Sequence, residues 1–100
     1  MTSTLSGAEK RALRARAQRM EATVRLGHAG ITEAWLKTLS DELERHELVK
    51  VRFTDPEVER KAIAPEVAEK SGSELVTLVG HVAVYFRKKR KKDEEEGARE

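Results

Sequence analysis

Cysteine is absent from the chain. That excludes disulfides, thiolate nucleophiles and thiolate metal sites. No apolar run approaches the roughly 20 residues that a membrane-spanning helix needs. The opening Met1-Thr2-Ser3-Thr4 lacks the basic-then-apolar pattern of a secretory signal, so a cytoplasmic location is expected. Catalytic groupings are missing as well. The three histidines (His28, His46, His81) fall in a loop, at a helix end and in a hairpin turn, with no metal-ligand spacing. No serine sits in a strand-to-helix elbow of the kind that presents a nucleophile. Neither a metal, a cofactor nor a small-molecule substrate is expected, and an enzyme ranks last among the functional classes. Aromatic residues are few: one Trp, one Tyr and two Phe.

What is present is charge and periodicity. The chain has 100 residues, 38% hydrophobic and 38% charged, enough for one domain with a modest core. The net charge of +2 conceals a segregation. Residues 93–100 carry five acids and one base, while residues 1–92 carry 19 Lys and Arg against 13 Asp and Glu. A basic body of charge +6 with an acidic end suggests a polyanionic partner.

Residues 1–5 are expected to be a disordered end. Ser6 and Glu9 form a capping box, which predicts a first helix from about Gly7 to Met20. Leu13, Ala17 and Met20 share its inward face. Arg11, Arg14 and Arg19 point away, and with Arg25 they make a nearly all-arginine surface. Arginine's planar fork suits phosphate; the plainer alternative is a solvated helix face. Ala22 to Leu26 predicts a strand, and Thr32 the N-cap of a second helix reaching about Arg45. Its buried stripe is expected at Leu36, Leu39 and Leu43, with Trp35 at the margin. Leu48 to Phe53 alternates apolar and basic residues, a half-buried strand. Asp55-Pro56 predicts the start of a third helix extending to about Lys70, with a kink or break at Pro65 and Val58, Ile63 and Val67 inward. Glu74–Val79 and Val82–Arg87 read as a hairpin turning at Gly80-His81. Residues 88–100, with unbroken runs of like charge, are expected to be a flexible tail.

The expected fold is therefore α/β: a small single-domain α-β-α-β-α-β-β sandwich with a four-stranded mixed sheet and helices on at least one face. Between the first strand and second helix lies Gly27-His28-Ala29-Gly30. Glycine at both ends permits unusual backbone angles and close approach of a polyanion to the loop amides. The start of the following helix adds unpaired N–H groups and a positive dipole end. Thr32 and Lys37 lie close by in sequence. The alternative is a tight turn that needs glycine for geometry alone, and the motif by itself decides nothing.

The full pattern resembles the CRM (chloroplast RNA splicing and ribosome maturation) domain family in its stand-alone bacterial form, the YhbY-type RNA-binding proteins. The matching pieces are the basic first helix, Val24-Arg25-Leu26-Gly27-His28-Ala29-Gly30-Ile31-Thr32-Glu33, His46 to Val51, Gly72, and Val79 to Arg87, spanning about residues 5–88. Two departures stand out. Family loops often carry lysine where this chain has His28, and Phe86 separates Tyr85 from Arg87, where the family often has Tyr-Arg. The resemblance implies a fold similar to the C-terminal domain of bacterial translation initiation factor three and RNA binding through a loop like that of KH domains. It also implies association of bacterial members with precursors of the large ribosomal subunit. The site residues expected on this reading are Gly27, His28, Ala29, Gly30 and Thr32, with Arg11, Arg14, Arg19, Arg25 and Lys37 supplying positive field. RNA, ribosomal RNA of the precursor subunit in particular, is the expected partner of a protein that is monomeric when free. Scarce aromatics favour recognition by shape and backbone. The competing reading is a protein-interaction module in which the arginines serve solubility.

Overall fold

The computed structural model describes residues 5–88. Seven elements follow in the expected order: α1 (Gly7–Gln18), β1 (Val24–Leu26), α2 (Glu33–His46), β2 (Leu48–Phe53), α3 (Arg60–Ser71), β3 (Glu74–Val79) and β4 (Val82–Phe86). The four strands form one mixed sheet in the order β1-β2-β4-β3. β1 runs parallel to β2, and the other pairs are antiparallel.

Alternation along β2 divides the core in two. Val49, Val51 and Phe53 face α2 and α3, where they pack with Leu26, Leu39, Leu43, Val67 and Tyr85. Leu48 faces the opposite side and joins Leu13, Ala17, Val76 and Val84 beneath α1. Helices therefore cover both faces, α1 alone on one and α2 with α3 on the other. Each fully buried Leu, Val or Phe contributes roughly 1.5–3 kcal/mol, so the larger cluster dominates stability. Leu5, expected in the disordered end, is half-buried against the α1 cluster. Apart from Leu5 and Lys88, the expected disordered end and tail lie outside the described residues.

Several expectations are corrected. α1 ends at Gln18, with Met20 donating its N–H to the Ala17 carbonyl in a closing turn. β1 starts at Val24 rather than Ala22, and β4 stops at Phe86. On α2 the packed margin is Trp35, Leu39 and Leu43, while Leu36 is half-buried outside the core cluster. The largest difference is at α3, which begins at Arg60, not at Asp55-Pro56. The Asp55 carboxylate accepts from the Glu57 N–H at 3.0 Å, and its carbonyl accepts from Val58. That local turn competes with helix initiation, as short acidic side chains commonly do. Val58 is thus in a turn, and the inward face of α3 is Ile63, Ala64, Val67 and Ala68. Pro65 does not break the helix, which runs unbroken from Arg60 to Ser71. The carbonyl that Pro65 cannot serve is that of Lys61, an exposed residue in the first turn of α3.

Two polar side chains fasten the layers. Lys50 reaches from β2 to the carbonyls of Ala17 and Met20, both at 3.0 Å, and so closes the C-terminal end of α1. The Tyr85 hydroxyl donates to the Ala64 carbonyl at 2.9 Å, and burial pushes its pKa well above the ordinary phenol value of 10.0.

Candidate nucleic-acid interface

The Gly27–Gly30 segment is a tight turn closed by the Gly30 N–H donating to the Gly27 carbonyl at 3.1 Å. Gly30 has φ 79°, a conformation that favours glycine. Gly27 is needed for a different reason: a Cβ there would meet the Thr54 hydroxyl at 3.3 Å. Both glycines thus have structural duties. Between them His28 and Ala29 are exposed, and their amides have no protein acceptor among the described residues.

The turn leads directly into α2. Thr32 is its N-cap, and its hydroxyl accepts from the Trp35 N–H at 3.0 Å. The amides of Glu33 and Ala34 are left without a protein acceptor at the positive end of the helix. Trp35 packs inward, and its indole N–H donates to the Arg25 carbonyl at 2.6 Å. The last turn of chain before the glycine loop is thereby anchored to α2. On the other flank, His28 Nδ1 lies 3.0 Å from the Asp55 carboxylate. The Glu57 N–H, and then the His28 ring, hold the Asp55 carboxyl below its ordinary pKa of 3.8, against a smaller opposing effect of burial. The loop is thus fastened at both ends, and a phosphate could meet exposed amides without reordering it.

The other expected site residues divide. Arg25 lies one residue before Leu26 on β1 and points to the α1 side of the sheet, since Val24 and Leu26 fill the opposite core. Arg11, Arg14 and Arg19 are exposed along α1. Lys37 is drawn toward the far end of α2 by Asp41, at 3.3 Å, rather than toward the loop. Sequence reasoning passed over Arg52, which is paired in register with Arg25 on the neighbouring strand. The signal was available in the alternation of β2, but strand order was needed to bring the two together. It also gave no structural role to Arg87, whose guanidinium is spent on the Ser71 and Ser40 carbonyls at 2.7 and 3.0 Å and on Glu44 at 3.6 Å.

Cations on the two sides of the sheet are treated differently. On the α2–α3 side, Lys37, Arg45, Lys70 and Arg87 each have a carboxylate within 3.6 Å; Lys61 does not, nor does Arg60, whose guanidinium lies 3.3 Å from the His81 ring. On the α1 side, Arg11, Arg14, Arg16, Arg19, Arg25 and Arg52 have none among the described residues. No group of three or more His, Asp or Glu among the described residues is placed to hold a metal ion.

Comparison with known proteins gives consistent results. The family model for the CRS1/YhbY (CRM) domain matches residues 5–87. The Probable RNA-binding protein YqeI of Bacillus subtilis is 29% identical over 84 residues, covering 83% of this chain and 88% of that protein. An RNA-binding protein of Haemophilus influenzae is 32% identical over 85 residues, covering 84% and 86%. The solution structure of the hypothetical protein SAV1595 of Staphylococcus aureus superposes with a TM-score of 0.75 at 33% identity, covering 91% of this chain and 96% of that one. By its sequence over residues 5–87 and by its fold, the chain belongs to the CRS1/YhbY (CRM) domain family.

Proposed function

We propose that this protein binds RNA through the Gly27–Gly30 loop and the arginine-bearing side of α1. On this reading it acts without catalysis, in the cytoplasm, as an assembly factor on ribosomal RNA in precursors of the large ribosomal subunit. The observation that carries the RNA reading is the one-sided distribution of unpaired arginines. A solubilising surface gains nothing from leaving one side without counter-charges while pairing the other. Polyphosphate binding does, because each cation that neutralises a phosphate releases a condensed counterion. Exposed amides at the loop and at the start of α2 then fix the backbone in place, which positions RNA without reading its sequence. The relatives named as RNA-binding proteins support the partner class. The ribosomal assignment rests on what resemblance to the family implies.

The test is sedimentation of cell extract on a sucrose gradient, following wild type, Ala29→Glu, and Arg14→Glu/Arg19→Glu. These exposed positions take a carboxylate without straining either glycine. The expected result is wild type in fractions holding large-subunit particles and both variants at the top. If the variants travel with wild type, a different surface, such as a protein-binding one, makes the contact. If wild type stays at the top, the ribosomal reading is wrong.

A further inference from the structure

α1 covers only part of its side of the sheet. Its C-terminal end stops above Lys50, and beyond that point the sheet is open toward the glycine loop. The last register row across the four strands is Arg25, Arg52, Val82 and Val79. All four side chains lie on the α1 side, because their neighbours Leu26, Phe53, Ala83 and Leu78 pack into the opposite core. Arg25 and Arg52 are exposed and have no acidic partner among the described residues. Val79 is 70% exposed, alone among the large hydrophobic residues described. Two shallow grooves meet on this row. One, of about 330 Å³, runs between Arg14, Thr77, Val79 and Val82. The other, of about 340 Å³, lies among Glu21, Arg25, Lys50 and Arg52. Lys50 and Val82 line both, so the two form one shelf.

We infer that this shelf is a seat for single-stranded RNA continuing from the glycine loop, with Arg25 and Arg52 holding phosphates or stacking on bases and Val79 and Val82 meeting base faces. The inference rests on the RNA reading above and adds to it which form of RNA is taken. The row divides evenly, with arginines on β1 and β2 and valines on β4 and β3. A protein partner docking on the valines would be repelled by no charge of its own, but it would have to bury Arg25 and Arg52 without acids supplied by this chain. A polyanion satisfies the arginines and covers the valines together. A duplex does not, because its base faces are stacked inside; an unpaired strand exposes them. Neighbouring strands lie about 4.8 Å apart, so the row is roughly 14 Å across, the width over which other four-stranded sheets seat two or three bases. The row ends two residues before Gly27, so a strand leaving the shelf at Arg25 arrives at the exposed amides of His28 and Ala29.

The experiment compares wild type, Val79→Ser, Arg52→Gln and Ala29→Glu by fluorescence anisotropy, with a labelled oligouridylate and with a labelled RNA duplex over a salt series. Circular dichroism confirms that each variant is folded. Val79→Ser removes apolar area and no charge, so it is the decisive variant. It should bind oligouridylate about five-fold more weakly, with an unchanged salt slope and unchanged duplex affinity. Arg52→Gln should lower the salt slope by about one. If Val79→Ser binds oligouridylate as wild type does, the shelf is not a base seat and the inference is overturned, whatever Arg52→Gln does. If it loses single-strand and duplex binding equally, the inference is likewise overturned. Should Ala29→Glu bind normally while Val79→Ser is weakened, the loop reading fails and the shelf stands. If wild type binds neither RNA, both readings fall.

Discussion

At Asp55 a carboxylate equally suited to capping a helix or forming a turn takes the second role. Its oxygen accepts from Glu57, and the same carboxylate faces His28 in the glycine loop. A carboxyl whose pKa is lowered on folding stabilises the native state above its unfolded pKa, and that contribution disappears as pH falls through the folded value. Asp55→Asn should therefore lower the melting temperature at neutral pH. The difference from wild type should shrink as pH drops below about 3.8, the ordinary value. Melting curves at a series of pH values check this. Equal destabilisation at every pH would mean that the carboxylate charge has no part in holding the turn. Gly27 and Gly30 teach a related lesson. The sequence showed that glycine was required there, but not that the two positions require it for different reasons, crowding by Thr54 at one and a positive φ at the other.

Among the elements, helix starts with a side-chain cap were legible and those without one were not. Ser6 and Thr32 both cap as their spacing suggests. The N-cap of α3 is Glu59, which makes no side-chain cap bond, so nothing local marks the start. The end of α2 was legible to within a residue, at His46 where Arg45 was expected. Glu47 takes φ 66° there, a position usually given to glycine, because β2 begins at the next residue. What fastens these elements is Arg87, which joins β4 to the end of α3 and the middle of α2. Arg87→Met should destabilise the fold by about 1–3 kcal/mol, since it leaves the Ser71 carbonyl at the end of α3 without its donor and removes the bonds to Ser40. Urea unfolding measures this. A loss under about 0.5 kcal/mol, as for an ordinary surface change, would show that the guanidinium bonds contribute little.

For the molecule as a whole, the sheet separates a charge-paired side from a side rich in unpaired arginine. If that asymmetry serves phosphate binding, cations on the two sides should differ in their effect on salt dependence. Arg19→Gln should reduce the salt slope of RNA binding by about one, and Lys70→Gln, whose partner is Glu66, should leave it unchanged. Affinity measured over a salt series distinguishes them; equal changes would mean that only total charge matters.

The sequence by itself determined the element order, the inward-facing alternation of Val49, Val51 and Phe53 on β2, the glycine turn and the family. Each follows from neighbours within a few residues: alternation, helical periodicity, capping pairs, a short motif. Only the tertiary structure decided that β4 lies between β2 and β3, that helices cover both faces, and that α1 stops short of the glycine loop. Those facts depend on which strands pair and where a helix end is held, here by Lys50 of β2. They bring Arg25, Arg52, Val79 and Val82, spread along the chain from residue 25 to residue 82, into one row across the sheet. No local pattern encodes that row, because its members are joined by backbone hydrogen bonds between strands distant in sequence, and such bonds carry no side-chain signature.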